Sequence, residues 1–303
     1  MTDLRQSEAQ AIIDDVRKHT GPYYLDIQHP TEPGQFIHFA FIPGKLDPID
    51  VTELVDEHRD TPKALEGTAR LSDLASFVQH VRAFSKDSTV LFANPNRLQP
   101  ELTAVYDYQT SEKPSFARHR ATYGFQVSDQ WKAWTQVAGR ALSQAEFASF
   151  LEAHLEDLIS PESIGEQTKR VLGALSMAPS LPSEIFELSK GLSLNVSSQV
   201  TQKLNSSTGE RELSFSEEHK GAGGVYKLEV PKAFVIAIPV FQLGAHFQIP
   251  VRIQYRLTDG SIKWTLAPLR TENVFDAAFR EACTTAANET ETPLLYGIDE
   301  KAR

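Results

Sequence analysis

Apolar residues recur at helical spacing along some stretches of the chain and alternate with polar ones along others, and the two rhythms divide it into helices and strands. Leu74, Phe77, Val78, Val81 and Phe84 keep the helical step, which predicts an amphipathic helix capped by Ser72. Ala9, Ile12, Ile13 and Val16 do the same over a shorter helix, Ser7 to Lys18. Between the two, Tyr23 to Ile27 and Phe36 to Phe41 read as paired strands joined by the turn cluster Pro30 to Gly34. Residues 43 to 70 are polar and irregular and read as a surface connection.

Three strand-like runs follow, Thr89 to Ala93, Leu102 to Tyr108 and Arg120 to Val127. Leu102, Ala104, Tyr106 and Tyr108, then Ala121, Tyr123, Phe125 and Val127, alternate with polar neighbours as in a half-buried antiparallel sheet. Trp131 and Trp134 lie one turn apart on a packing face. The next helix has its start written in full: Ser143 and Glu146 form a capping box, and Leu142 staples onto Phe147. Its buried stripe is read as Phe147, Phe150, Leu151, His154, Leu155 and Leu158, with Pro161 just past the end.

Residues 164 to 190 are helical in character and broken by Pro179 and Pro182. From Gly191 on, strands dominate. Leu192 to Leu204 and Glu210 to Phe215 flank Asn205 to Gly209 as a polar hairpin suited to solvent or to a partner. Val225 to Phe241 is the most apolar run, and Pro231 and Pro239 suit an edge or a bulge. The clearest hairpin alternates Val251, Ile253, Tyr255 and Leu257 with Arg252, Gln254 and Arg256, turns at Asp259-Gly260 and returns through Ile262, Trp264 and Leu266. Its two-residue loop sets Tyr255 opposite Trp264. A last helix capped by Thr271 carries Val274, Phe275, Ala278, Phe279 and Cys283 on one face, and a short strand and frayed tail follow Thr292. The expected fold class is α+β, with antiparallel sheets, packed helices and a β-hairpin-rich C-terminal half. The expected division is residues 1–160, an α+β region, and 161–303, a helical connection followed by hairpins and a helix, the two also readable as one continuous domain.

The chain has 303 residues, 41% of them hydrophobic, which supplies a sizeable core for one large or two modest domains. No apolar run is long enough for a membrane span and the N-terminus is charged, so the expected location is the cytoplasm. The net charge of −10 gives nucleic acid no global attraction, so any such binding needs a local basic patch. The single cysteine, Cys283, excludes an internal disulfide and a cysteine-based zinc site, and reads as a core thiol.

The nine histidines show no metal-ligand spacing, no nucleophile elbow occurs, and Gly221 to Gly224 precedes a strand instead of opening a helix. No catalytic, cofactor or metal residue is therefore assigned. His154 reads as a satisfied core or interface histidine. The candidate anion or partner patch is Arg252, Gln254, Arg256 and Lys263 on the outer face of the strong hairpin. Arg256 and Lys263 stand opposite each other there, a mildly unfavourable pairing that an acidic partner or a phosphate would relieve. The weaker candidate is Arg118, His119 and Arg120, read as a basic strand edge entering a sheet that also holds Tyr106, Tyr108, Tyr123 and Phe125. Basic and aromatic residues on one sheet suit a single strand of nucleic acid, although alternation puts these rings on the core face.

Trp131-x-x-Trp134 followed by Ser143-Gln144-x-Glu146-Phe147-x-x-Phe150-Leu151-Glu152 resembles the YfdQ-like family of phage and prophage proteins, and the likeness runs over most of the chain. The resemblance implies a phage-derived protein and carries no assigned activity. Together with the missing catalytic constellations it favours a non-catalytic protein that binds itself, as a homo-oligomer, or a phage or host partner. The alternative is a nucleic-acid protein of phage recombination or replication. Helix, three antiparallel strands and helix between Ser72 and Arg140 are similar, at the level of fold alone, to the core of single-strand annealing proteins.

Overall fold

The computed structural model describes residues 10–12, 22–29, 34–42, 47–58, 60–61, 64–194, 199–204, 211–216, 225–258 and 261–299. The chain forms two compact units, Met1–Glu66 and Gly67–Arg303.

In the first unit, β1 (Tyr23–Gln28) and β2 (Phe36–Phe41) pair antiparallel, as the aromatic runs predict, with Leu25 opposite Phe39. Tyr23 and Phe41 stack at 4.5 Å between ring centroids, and Asp26 meets His38 Nδ1 at 2.7 Å. The expected irregular connection is in fact structured: β3 (Ile49–Asp50) pairs with β2 and leads into α1 (Thr52–Glu57). The Asp50 carboxylate accepts the Thr52 N–H at 2.9 Å, and Thr52 Oγ1 accepts the His38 N–H at 3.1 Å. Elements this short carry too few residues for a period to show. Of the expected helix Ser7 to Lys18 only residues 10–12 are described, and these are helical.

The second unit opens with β4 (Gly67–Leu71), α2 (Leu74–Phe84), β5 (Val90–Asn94), β6 (Glu101–Val105) and β7 (His119–Gly124). The antiparallel trio β5, β6 and β7 is the one that alternation predicts. Its flanks are parallel: β4 lies beside β7, and β15 (Leu294–Tyr296) lies beside β5, so the sheet is mixed, in the order β15-β5-β6-β7-β4. Asp73, not Ser72, caps α2, because its carboxylate reaches the Ser76 N–H at 2.7 Å. The chain turns after Val105, which moves Tyr108 off the core face and sets its ring edge-on to Phe92, 5.2 Å away.

A second sheet has the order β14-β13-β12-β8, from β8 (Leu158–Ile159), β12 (Ala233–Pro239), β13 (His246–Thr258) and β14 (Ser261–Pro268). One face is covered by α3 (Asp129–Val137) and α4 (Gln144–Ala153), with Phe147 stacked on Trp264 at 4.6 Å and Trp134 against Phe234 at 5.9 Å. The capping box of Ser143 and Glu146 is formed. The helix stops sooner than its stripe suggests: His154 caps it, Leu155–Asp157 make one 3₁₀ turn, and Leu158 enters β8. Asp157 accepts the Trp134 Nε1–H at 2.7 Å, which holds that turn in place. On the other face, Ile164 and Leu172, just before and within α5 (Glu166–Ala174), cover Ala233 and Val235. Residues 161 to 190 thus lie inside the second unit.

The broken helical stretch resolves into α5 and α6 (Pro182–Leu194), and α6 buries Ile185, Leu188 and Leu192. Leu192 is therefore helical, not the start of a strand. Beyond it, β9 (Gln199–Leu204), β10 (Arg211–Ser216) and β11 (Val225–Glu229) form a third antiparallel sheet. The apolar run from Val225 splits near Pro231 into β11 and β12. Far from being an edge, β12 pairs on both sides, and Pro231 and Pro239 stand where no central ladder N–H is required. Tyr255 faces Trp264 and Arg256 faces Lys263 in the hairpin register that its two-residue loop predicts. The tips Asp259-Gly260 and Asn205 to Gly209, and the glycines Gly221 to Gly224, lie outside the described residues.

The last helix, α7 (Thr271–Thr290), begins one residue earlier than expected: Arg270, in the left-handed region at φ 56, holds the cap position and Thr271 is the first helical residue. Phe275, Ala278, Phe279, Cys283 and Ala286 are buried in the main core with Phe77 and Val81 of α2.

Candidate functional site

Alternation along β13 sends Val251 and Ile253 into the core and leaves Arg252, Gln254 and Arg256 on the opposite face. Lys263 joins them from β14, directly across from Arg256. The expected patch is therefore one surface. Arg252 is half-buried because it stands between Ala233 of β12 and Ala267 of β14, small neighbours that leave a hollow above them. That hollow is a cleft of about 490 Å³ bounded by Leu175–Met177, Val230–Lys232 and Arg252–Tyr255.

The end of α5 shapes one wall. Ser176 sits in the left-handed region at φ 51, and the N–H groups of Ser176 and Met177 turn back onto the Gly173 and Leu172 carbonyls, both at 3.0 Å. This is the doubly bonded helix stop usually completed by glycine, and it carries the chain away from the sheet at the point where Arg252 needs room. Met177 packs on the small core around Ala233 and Val235.

Electrostatically the cleft is one-sided. Among the described residues no aspartate or glutamate lines it, and Lys232, Arg252, Arg256 and Lys263 make no ion pair. Glu146 lies near enough to Lys263 for its carboxyl to be held low in part by that charge, after the larger effect of its bonds to Ser143. Arg252 Nε is buried and has no hydrogen-bond partner. A buried donor in that state costs about 1–3 kcal/mol, a penalty that an anionic oxygen in the cleft removes.

The weaker candidate does not form one site. Arg118 is exposed, with its guanidinium 4.6 Å from the Phe116 ring centroid. His119 belongs to an interior strand and is 9% exposed, so it is no solvated edge; its ring lies 4.5 Å from Tyr106 and edge-on to Phe84. Burial pushes its pKa down, and its Nδ1 has no partner. Tyr106 in turn meets His80 Nδ1 at 2.7 Å. Arg120 points to the opposite face, where it donates to Asp299 at 2.5 Å and to the Ala117 carbonyl at 2.7 Å. Its charge is already answered within the fold.

Sequence reasoning missed three features. Lys232 belongs to the cleft, which its position between two strands does not reveal. A second cleft, of about 410 Å³, is walled mainly by apolar residues of α2 and α7 and by the turn that carries Leu243, itself 95% exposed. The third is the exposed apolar face of the β1–β2 pair, a pair that the sequence did predict: Tyr23, Leu25 and Ile27 on that face are 55%, 44% and 45% exposed. His154, by contrast, is satisfied as expected: its Nδ1 meets the Phe150 carbonyl at 2.8 Å and its ring stacks on Phe150. Among the described residues no group of three or more histidine, cysteine or carboxylate side chains is placed to hold a metal, and no helix is long and apolar enough to cross a membrane.

These features define an α+β protein with a cation-lined cleft on the outer face of a β-hairpin. The family model of an uncharacterised conserved protein, DUF2303, matches residues 28–298, and the chain belongs to that family. No curated protein and no solved structure matches it.

Proposed function

We propose that this chain is a non-catalytic, self-assembling interaction protein of phage or prophage origin. The observation that carries self-assembly is the β1–β2 sheet. Tyr23, Leu25 and Ile27 on β1 stand beside Phe41, Phe39 and Ile37 on β2, so one face of the pair is apolar throughout. Burying the exposed part of each β1 side chain stabilises an interface by about 1 kcal/mol.

Among the described residues β1 pairs with β2 alone, which leaves its other edge as a row of open backbone donors and acceptors. Such an edge templates the addition of another strand. A second copy fits it in antiparallel register centred on Leu25. Leu25 then faces its own counterpart, Tyr23 faces Ile27 of the other copy, and Tyr24 faces Asp26, so the apolar face continues across the junction.

Sedimentation velocity across the micromolar range tests the reading. The expected result is reversible association that Leu25→Glu abolishes while the circular dichroism spectrum stays unchanged. A wild-type chain that remains monomeric throughout overturns it.

A further inference from the structure

We infer that the cleft beside Arg252, with the cations leading away from it, holds the phosphodiester backbone of a single-stranded nucleic acid without reading its bases. This goes beyond self-assembly and rests on a different surface. Arg252, Gln254 and Arg256 follow one another on the same face of β13, and Lys263 flanks the last of them. Alternate residues of a strand are about 6.8 Å apart, so the row is an extended track, suited to a repeating anion more than to one isolated phosphate.

The buried, unpartnered Nε of Arg252 supplies the anchor. A guanidinium presents its donors as a planar fork that matches two phosphate oxygens at once. Lys232 stands on the same cleft, and among the described residues no carboxylate lines it to compete for either cation. The remaining side-chain chemistry decides between polymers. A nucleic-acid backbone brings acceptors, which arginine, lysine and the glutamine amide satisfy. An acidic polypeptide brings carboxylates and also main-chain N–H donors, each needing an acceptor. Tyr255 is the one aromatic residue at the cleft among the described residues, and its ring packs on Trp264 at 5.4 Å, so none of them offers a free ring platform to a base. Recognition is therefore confined to phosphates, and a steep salt dependence follows.

Fluorescence polarisation of labelled oligothymidylate and oligoadenylate with the full-length chain tests this. Four cations neutralising four phosphates predict a slope of log affinity against log salt of about −3. The exposed pair Arg256→Glu with Lys263→Glu should lower affinity at least tenfold and flatten that slope by about 1.4, without changing the circular dichroism spectrum. Arg252→Gln should weaken binding as well; because Arg252 is half-buried, the exposed pair keeps the test valid if that variant unfolds.

Absence of binding at low salt, or binding indifferent to the double reversal, overturns the inference. Polyglutamate that displaces the strand with the same variant dependence overturns it in favour of an acidic polypeptide. A tenfold preference between the two oligonucleotides overturns the claim that bases go unread. The Leu25→Glu variant should keep both slope and affinity per chain, so failure of self-assembly and failure of this inference are told apart.

Discussion

Replacing Asp299 by alanine removes the carboxylate that pairs with the buried Arg120 guanidinium and leaves that group its bond to the neutral Ala117 carbonyl. The Arg120 and Asp299 side chains are 7% and 13% exposed, and the pair joins β7 to the segment after β15, residues separated by 179 positions in the chain. Gly297 adds a backbone bond to Ala93 at 2.8 Å, so the whole segment is laid along the sheet. Breaking a buried pair from one side costs about 3–5 kcal/mol, since it leaves a charge out of water and unpaired. The slight exposure of Asp299 admits some water, which argues for the lower end, about 3 kcal/mol. At about 2–4 °C per kcal/mol for a unit of this size, the melting temperature should fall by about 6–12 °C. Urea unfolding of Asp299→Ala measures the loss directly. The double variant Arg120→Met with Asp299→Leu should recover most of it, because an apolar pair of similar volume leaves no stranded charge. A loss below about 1 kcal/mol for Asp299→Ala, or a double variant no more stable than the single one, would refute the reasoning.

Further outcomes are expected at other positions. Ser143→Ala removes the acceptor for the Glu146 N–H and should lower stability by about 1 kcal/mol in urea unfolding, a loss that Ser143→Asp restores. His119 titrates below the ordinary histidine value chiefly because it is buried, with His80 and Lys86 adding to that depression and Asp107 opposing it. The unfolded chain therefore takes up the proton first. Stability should be full above about pH 6.5 and decline as the pH falls below it, and the part of that decline due to His119 should vanish in His119→Gln. Burial pushes the Cys283 thiol up to about 12, so a thiol reagent should label the native chain slowly and at a rate that rises with urea in step with unfolding. Trp264→Phe deletes a buried N–H that has no partner and should cost less than Phe147→Ala, which empties the other half of their stacked pair.

Much of the second unit was legible because its rules are local. The box between Ser143 and Glu146 spans one helical turn, so the letters alone locate the start of α4. Alternation from Leu102 to Tyr106 and from Ala121 to Phe125 names the core face of β6 and β7. It fails at Tyr108, where the chain has already left the strand. At Ser72 the error was of one residue, because Asp73 offers a carboxylate to the same turn and outcompetes a hydroxyl. The candidate patch was legible for the same reason as the strands: a strand sends every second residue to one face, so Arg252, Gln254 and Arg256 had to share a surface.

The adjacent triplet Arg118, His119 and Arg120 shows where local reading ends. Neighbours on a strand point to opposite sides, and whether either side meets solvent depends on what covers it. Phe84 from α2 covers His119, and Asp299 from the chain end meets Arg120. The parallel strands β4 and β15 are likewise invisible to periodicity, because each is defined by a neighbour far away in sequence.

By itself, the sequence determined the helices with written caps, the register of the β13–β14 hairpin and the set of residues on each strand face, all of which follow from rules acting over a few residues. Only the tertiary structure decided that α5 stops short and leaves a cleft over Arg252, that Lys232 stands beside it, and that among the described residues Arg120 finds a carboxylate while Arg252 does not. Those outcomes depend on which distant groups come together, and a charge has no meaning as a site until its partners are known.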